Sequence, residues 1–167
     1  MPPDRPVFAL DENFPEPVLL EIVAHYTPEL DLRPIRSIDP RLTGGLPDDR
    51  LILALHQLGI EGLVTNDDRM LSLPEVLAIV QQTGLTIVTC RRTGHDPLVA
   101  TGLLLAYLGR IVRRHRAGVP QLWRLAGPDR GPDNFDKVIS QAEVRSQRRV
   151  ADYRLGREEL EERVLQP

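Results

Sequence analysis

Three segments of this 167-residue chain place acids where structured elements are expected to start or stop. Asp11 closes the apolar run Val7-Phe8-Ala9-Leu10. Asp48 and Asp49 open an amphipathic stretch carrying Leu51, Ile52, Leu55 and Leu58. Asp67 and Asp68 follow Gly62-Leu63-Val64-Thr65. Carboxylates crowded together raise one another's pKa, so such a group is unfavourable without a cation. Three or four oxygen donors around an open cavity suit Mg2+ or Mn2+, hard ions that keep water and phosphate oxygens as further ligands. Ions held this way generate a hydroxide nucleophile and stabilise the leaving oxygen of a phosphodiester. Nothing competes for a softer metal, since His25, His56, His95 and His115 are scattered and Cys90 is the only cysteine.

Each acid also has an ordinary structural use. Asp48 or Asp49 fits a helix N-cap, Asp67-Asp68 fits a turn, and Asp96 before Pro97 fits a cap. Adjacent acids can divide these roles, so Asp49 is expected as the ligand and Asp48 as the cap.

The elements that must position these acids alternate. Residues 7–10 predict a buried strand, and the spacing of Val18, Leu19, Ile22, Val23 and Tyr26 predicts a helix ending at Thr27-Pro28. A second strand is expected within 32–38, although Pro34 interrupts it. The Asp48 helix ends at Gly59, the strand at 62–65 follows, and Ser72-Leu73-Pro74-Glu75 predicts a capping box for the next helix. Leu85 to Cys90 is the strongest strand signal. Asp96-Pro97 opens a long helix to about His115, and residues 121–125 predict an edge strand. Alternating strands and helices imply parallel pairing beneath helices on both faces. The expected fold is a Rossmann-like three-layer α/β/α sandwich with a mainly parallel sheet and a C-terminal helical tail. Residues 5–126 form the domain; residues 127–167 are a connector and a charged tail interrupted by Gly156. In such a sheet, ligands bind beyond the carboxyl ends of the strands, where acids after the first and third would meet if those strands are neighbours.

Composition is that of an ordinary globular protein, with 41% hydrophobic and 27% charged residues. One cysteine excludes an internal disulfide framework and any multi-cysteine zinc site. No apolar run approaches the roughly 18 residues that cross a membrane. The opening Met1-Pro2-Pro3-Asp4 has no leader pattern, and a cytoplasmic protein with no membrane partner is expected. The net charge of −3 conceals an asymmetry: residues 1–90 hold 6 Lys+Arg against 14 Asp+Glu, residues 91–167 hold 15 against 10. A carboxylate-rich part beside a surface tolerant of polyanions fits this division as well as chance placement of solvated charges does.

The acidic segments resemble motifs of the PIN domain, specifically the PIN-like nucleases of the VapC type found as toxins in toxin–antitoxin pairs. Phe8-Ala9-Leu10-Asp11-Glu12-Asn13-Phe14 is similar to the family's opening strand with its Asp-x-Asn end. Asp49-Arg50-Leu51-Ile52-Leu53-Ala54-Leu55 resembles the helix that begins with the second acid. Leu63-Val64-Thr65-Asn66-Asp67-Asp68-Arg69 resembles the Leu-Val-Thr-Asn-Asp strand end. The likeness covers roughly residues 7–125. It implies Mg2+- or Mn2+-dependent hydrolysis of RNA, with Asp11, Asp49 and Asp67 as metal ligands. Asn13 would then support the first ligand's loop, and Thr65 and Asn66 would orient the third. Family members often carry a fourth acid two residues after the third, and here that residue is Arg69. Asp68, Asp96 or water would take its place. Arg69, Arg91 and Arg92 near the rim are expected to grip flanking phosphates. Partners implied are an RNA substrate, an antitoxin protein and a second copy of the chain.

Two other classes compete. A phosphorelay receiver also gathers acids at strand ends but needs a lysine after a late strand, and the only lysine, Lys137, lies in the tail. A catalytically degenerate PIN-like module that binds RNA or protein is the alternative that Arg69 favours. Elsewhere, structural roles are expected: His56 and Trp123 in packing, Cys90 as a small buried hydrophobe, and the basic run Arg110 to Arg116 complementing a helix C-terminus.

Overall fold

The computed structural model describes residues 5–91, 96–126 and 132–165. The short apolar runs form strands because both of their faces are covered. Five strands, β1 (Val7–Leu10), β2 (Asp31–Pro34), β3 (Gly62–Thr65), β4 (Thr86–Cys90) and β5 (Gln121–Leu125), lie in the order β2-β1-β3-β4-β5. All four pairings are parallel, and β3 and β4 are buried throughout. Near-continuous hydrophobic strands are what a doubly covered parallel sheet requires.

Among the described residues five helices lie between these strands, α1 (Glu16–Tyr26), α2 (Ile35–Ile38), α3 (Asp48–Gln57), α4 (Pro74–Thr83) and α5 (Pro97–Arg114), and two follow β5, α6 (Phe135–Ser146) and α7 (Arg157–Glu161). Alternation along the strands divides the core. Phe8, Leu10, Val64, Val88 and Trp123 pack with Leu19 of α1 and Leu104 of α5. Ala9, Leu63, Ile87 and Leu122 face the other way, against Ile52 of α3, Leu77 of α4 and Val138 of α6. The result is the Rossmann-like three-layer α/β/α sandwich. The interrupted second strand forms, with Pro34 as its last residue at the edge of the sheet, where a missing N–H costs little.

Three local expectations need correction. The capping box at Ser72 does not form: a 3-10 turn over Asp68–Ser72 takes the Ser72 hydroxyl, which donates to the Arg69 carbonyl at 2.6 Å. Leu73 then holds the N-cap position, and Pro74 starts α4. His56 is exposed, because the buried stripe of α3 is Ile52 to Leu55. His115 leaves the basic helix end and turns inward. Its Nε2 lies 3.0 Å from Glu61 Oε2, its Nδ1 3.1 Å from Thr86 Oγ1, and its ring meets Phe8 edge-on. Trp123 and Cys90 are core residues, and burial pushes the Cys90 thiol up to about 12.

The tail belongs to the same core. Val138, Ala142 and Val150 join the α3–α4 cluster. Two glutamines hold the chain beyond them: Gln57 donates to the carbonyls of Leu160 and Glu162 and accepts from Val164 N, while Gln82 both donates to and accepts from the Leu155 backbone. Described tail residues thus pack on the same core as the strands. Among the described residues no helix is long and apolar enough to cross a membrane.

Gly84 ends α4 at φ +71, and a Cβ there would sit 2.3 to 2.6 Å from the backbone of Gly118. Gly84→Ala should cost at least about 2 kcal/mol, combining left-handed strain with overpacking against atoms that cannot yield. Gly45→Ala, at φ +79 in open space, should cost only about 1 kcal/mol. Urea denaturation measures both, and equal losses would show that the contact with Gly118 is immaterial.

Candidate functional site

From β1 the chain moves outward to β2, then returns to place β3 on the opposite side of β1. The strand order reverses between β1 and β3, and at such a switch point the connections diverge and leave a crevice at the carboxyl ends. Asp11 is the first residue beyond β1, and its backbone N–H donates to Val64 of β3 at 2.9 Å. Its carboxylate is fixed by three donors: Glu12 N to Oδ1 at 2.7 Å, and Thr65 Oγ1 and Asn13 Nδ2 to Oδ2 at 2.8 and 3.1 Å. Thr65, buried at the end of β3, also accepts from Asp67 N at 3.1 Å. One hydroxyl thus joins the first and third acidic segments. Asn66 lines the crevice with Asn13, Asp67, Arg69 and Pro97.

Asp48, expected as a cap, does not cap α3. Pro47 holds the N-cap of α3 and no side chain caps the helix, so Asp48 is free of that role. Burial raises the Asp48 pKa first, followed by the charges of Asp67, Asp49 and Asp11, with Arg69 opposing. The charges of both strand-end acids thus act on Asp48. The carboxylate of Asp49 lies 3.7 Å from Arg50. In the first turn of a helix, consecutive residues point about 100° apart, so only the packing of α3 on the sheet decides which one looks inward.

Asp68 leaves the acidic group altogether. Its Oδ1 accepts from Thr89 Oγ1 at 3.2 Å and lies 3.6 Å from Arg124, while its Oδ2 lies 3.1 Å from Arg91. It is not placed to replace a fourth ligand; the 3-10 turn rotates it to the opposite side from Asp67. Arg91 is held by Asp68, and Arg92 and His95 lie outside the described residues. Asp96 caps α5 through Leu98 N and Val99 N, its expected structural use. Arg69 donates to Asp67 Oδ1 from its backbone at 2.9 Å and its Nε at 3.4 Å. Arg124 carries no sequence signal beyond a lone charge in the apolar run of β5, yet it reaches the same rim.

The donor set is chemically suited to a hard divalent cation. A carboxylate offers about four acceptor sites, and three on Asp11 are taken. Among the described residues, Asp67 Oδ2 accepts no hydrogen bond, and Asp48 carries the strain of its neighbours' charge. No three acidic, histidine or cysteine side chains among the described residues stand close enough to hold one ion together. No family model, curated protein or solved structure was found to match the chain.

Because Asp48 holds its proton more strongly when folded, the native chain binds more protons than the unfolded one between the ordinary and the raised pKa. Stability falls as pH rises through that interval, and the loss is complete above it. Asp48→Asn should therefore raise the thermal midpoint by a few degrees at neutral pH without divalent metal, and the gain should vanish below the ordinary Asp range. Melting curves across pH check this; a neutral-pH loss of stability would mean that Asp48 does not face the other acids.

Proposed function

We propose that this chain is a PIN-like, Mg2+- or Mn2+-dependent endoribonuclease. The observation that carries the reading is the Thr65 hydroxyl, which ties Asp11 and Asp67 together at the switch point of a parallel sheet while Asp48 enters from α3. The resemblance of the Asp11 and Asp67 segments supports RNA as the substrate. It also extends to a role as the toxin of a toxin–antitoxin pair, with a small protein antitoxin and a second copy as partners.

Asp11, Asp48 and Asp67 would hold the cation, a revision that replaces Asp49 with Asp48 and omits Asp68. When bound, the ion supplies Lewis acidity for the attacking water and for the departing oxygen. The protein's own work is positioning. Thr65 and Asn13 hold the Asp11 carboxylate in place. Thr65 also sets the backbone from which Asp67 projects. Exposed Arg69 stands beside Asp67, where a flanking phosphate would meet it.

A second reading has its own observation. Arg69 brings a cation to Asp67 at the place where the resembled family has an acid, which favours a degenerate module that binds RNA or protein without cleaving.

Cleavage of a mixed structured-RNA pool in Mn2+, in Mg2+ and in EDTA separates the two. Metal-dependent cleavage should fall by at least about a hundredfold in Asp11→Asn and Asp67→Asn. Thr65→Val, which removes only the bridging hydroxyl, should reduce it by about 10–100-fold. Folded wild type that cuts no RNA in either metal would sink the enzyme reading; cleavage surviving both Asp substitutions would move the site elsewhere.

A further inference from the structure

A second cleft, of about 300 Å³, opens beside the acidic crevice and shares Arg69 with it. Four arginines from separate elements line it: Arg69 in the 3-10 turn, Arg91 just beyond β4, Arg124 on β5 and Arg145 in the last turn of α6. Leu71, Val138 and Ala142 add apolar surface, and Gln141 and Ser72 add polar groups. Among the described residues the one acid lining it is Asp68, already engaged with Arg91 and Arg124. With Asp67 beside Arg69 and Asp133 3.7 Å from Arg124, the four guanidinium groups still outnumber the carboxylates that face them, which leaves a net positive charge.

Two of these arginines have capacity to spare. The Arg124 side chain is only 15% exposed, and its buried Nε has no hydrogen-bond partner, lying 3.6 Å from Asp68 and 3.7 Å from Asp133, beyond bonding distance. A buried charged donor without an acceptor is costly. Arg145, exposed on α6, makes no ion pair or hydrogen bond among the described residues. An oxyanion satisfies both needs, since guanidinium groups bind phosphate oxygens by charge-assisted, often bidentate hydrogen bonds.

We propose that this arginine-lined cleft is a phosphate-binding site that takes the phosphate of an RNA strand passing from the acidic crevice across Arg69. Naming RNA as the bearer rests on the ribonuclease reading; binding of phosphate does not. The site gives the C-terminal segment a part in binding, because α6 supplies Arg145. Asp68 becomes a positioning residue that holds Arg91 and Arg124 apart from the acidic group, instead of a metal ligand.

The test uses the full chain in EDTA, with fluorescence anisotropy on a short single-stranded oligoribonucleotide labelled at its 3′ end and bearing either a 5′-phosphate or a 5′-hydroxyl. Arg145→Gln and Arg124→Gln should each weaken binding by about tenfold or more and lower the slope of log affinity against log salt by about 0.7. Arg116→Gln, which removes an exposed charge after the far end of α5, should change neither. Inorganic phosphate should compete with the wild-type chain. The Arg124 Nε is buried and this variant is read only if its melting curve is cooperative, so exposed Arg145 carries the test. Unchanged affinity and salt slope in Arg145→Gln overturn the site. Preference for the 5′-phosphorylated strand would identify a terminal phosphate; equal, Arg145-dependent binding of both strands would identify internal phosphodiesters. Arg145-dependent binding by a chain that cuts no RNA would keep this site and remove the ribonuclease reading. Cleavage with Arg145-independent binding would do the reverse.

Discussion

Parallel pairing of β1 with β3 is the constraint on which the other features depend. It sets two strands that are distant in sequence side by side and pointing the same way, so that their carboxyl ends finish on one rim. It also fixes where the connections diverge, because β2 lies on the far side of β1 and β4 on the far side of β3. The crevice follows from that divergence, and the register Leu10↔Val64 brings Asp11 within reach of Thr65. A slip of one residue would turn Phe8 and Leu10 out of one core and into the other, so burial on both faces enforces the register.

The rim is arranged by charge. Acids from two strand ends and one helix start lie on one side, arginines from the 3-10 turn, β4, β5 and α6 on the other, with Arg69 between them. Neighbouring residues Asp67 and Asp68 serve opposite sides, since the turn that begins at Asp68 rotates one carboxylate toward the crevice and the other toward Arg91 and Arg124. The acidic half of the sequence and its basic half thus meet at two consecutive aspartates. Like charges weigh on Asp48 on one side, and the buried Arg124 Nε lacks a hydrogen-bond partner among the described residues on the other.

The C-terminal segment shows how a thin apolar pattern can be sufficient. Val138, Ala142 and Val150 are few, but each is buried against the α3–α4 layer. Gln57 and Gln82 then pair with backbone groups that no helix or strand satisfies, which spares them from remaining unbonded in a partly buried contact.

Much of this was legible in the sequence alone. Strand and helix order, the parallel three-layer class, and the placement of Asp11 and Asp67 at strand ends all follow from apolar periodicity and from where acids interrupt it, which are local properties. Thr65 and Asn13 were legible through the resemblance of their segments. Tertiary structure decided what local pattern leaves open. Asp48 and Asp49 are equivalent in a helix's first turn until the packing of α3 chooses which faces the sheet edge. Asp68 reads as a spare ligand until the turn carries it to Arg124, a residue 56 positions away that no spacing rule connects to it. His115 likewise reads as one of a basic run until Glu61, Thr86 and Phe8 close around it. Sequence fixes which groups are available along a chain, but the direction of a side chain at a helix start or in a turn depends on neighbours that only the folded chain brings together.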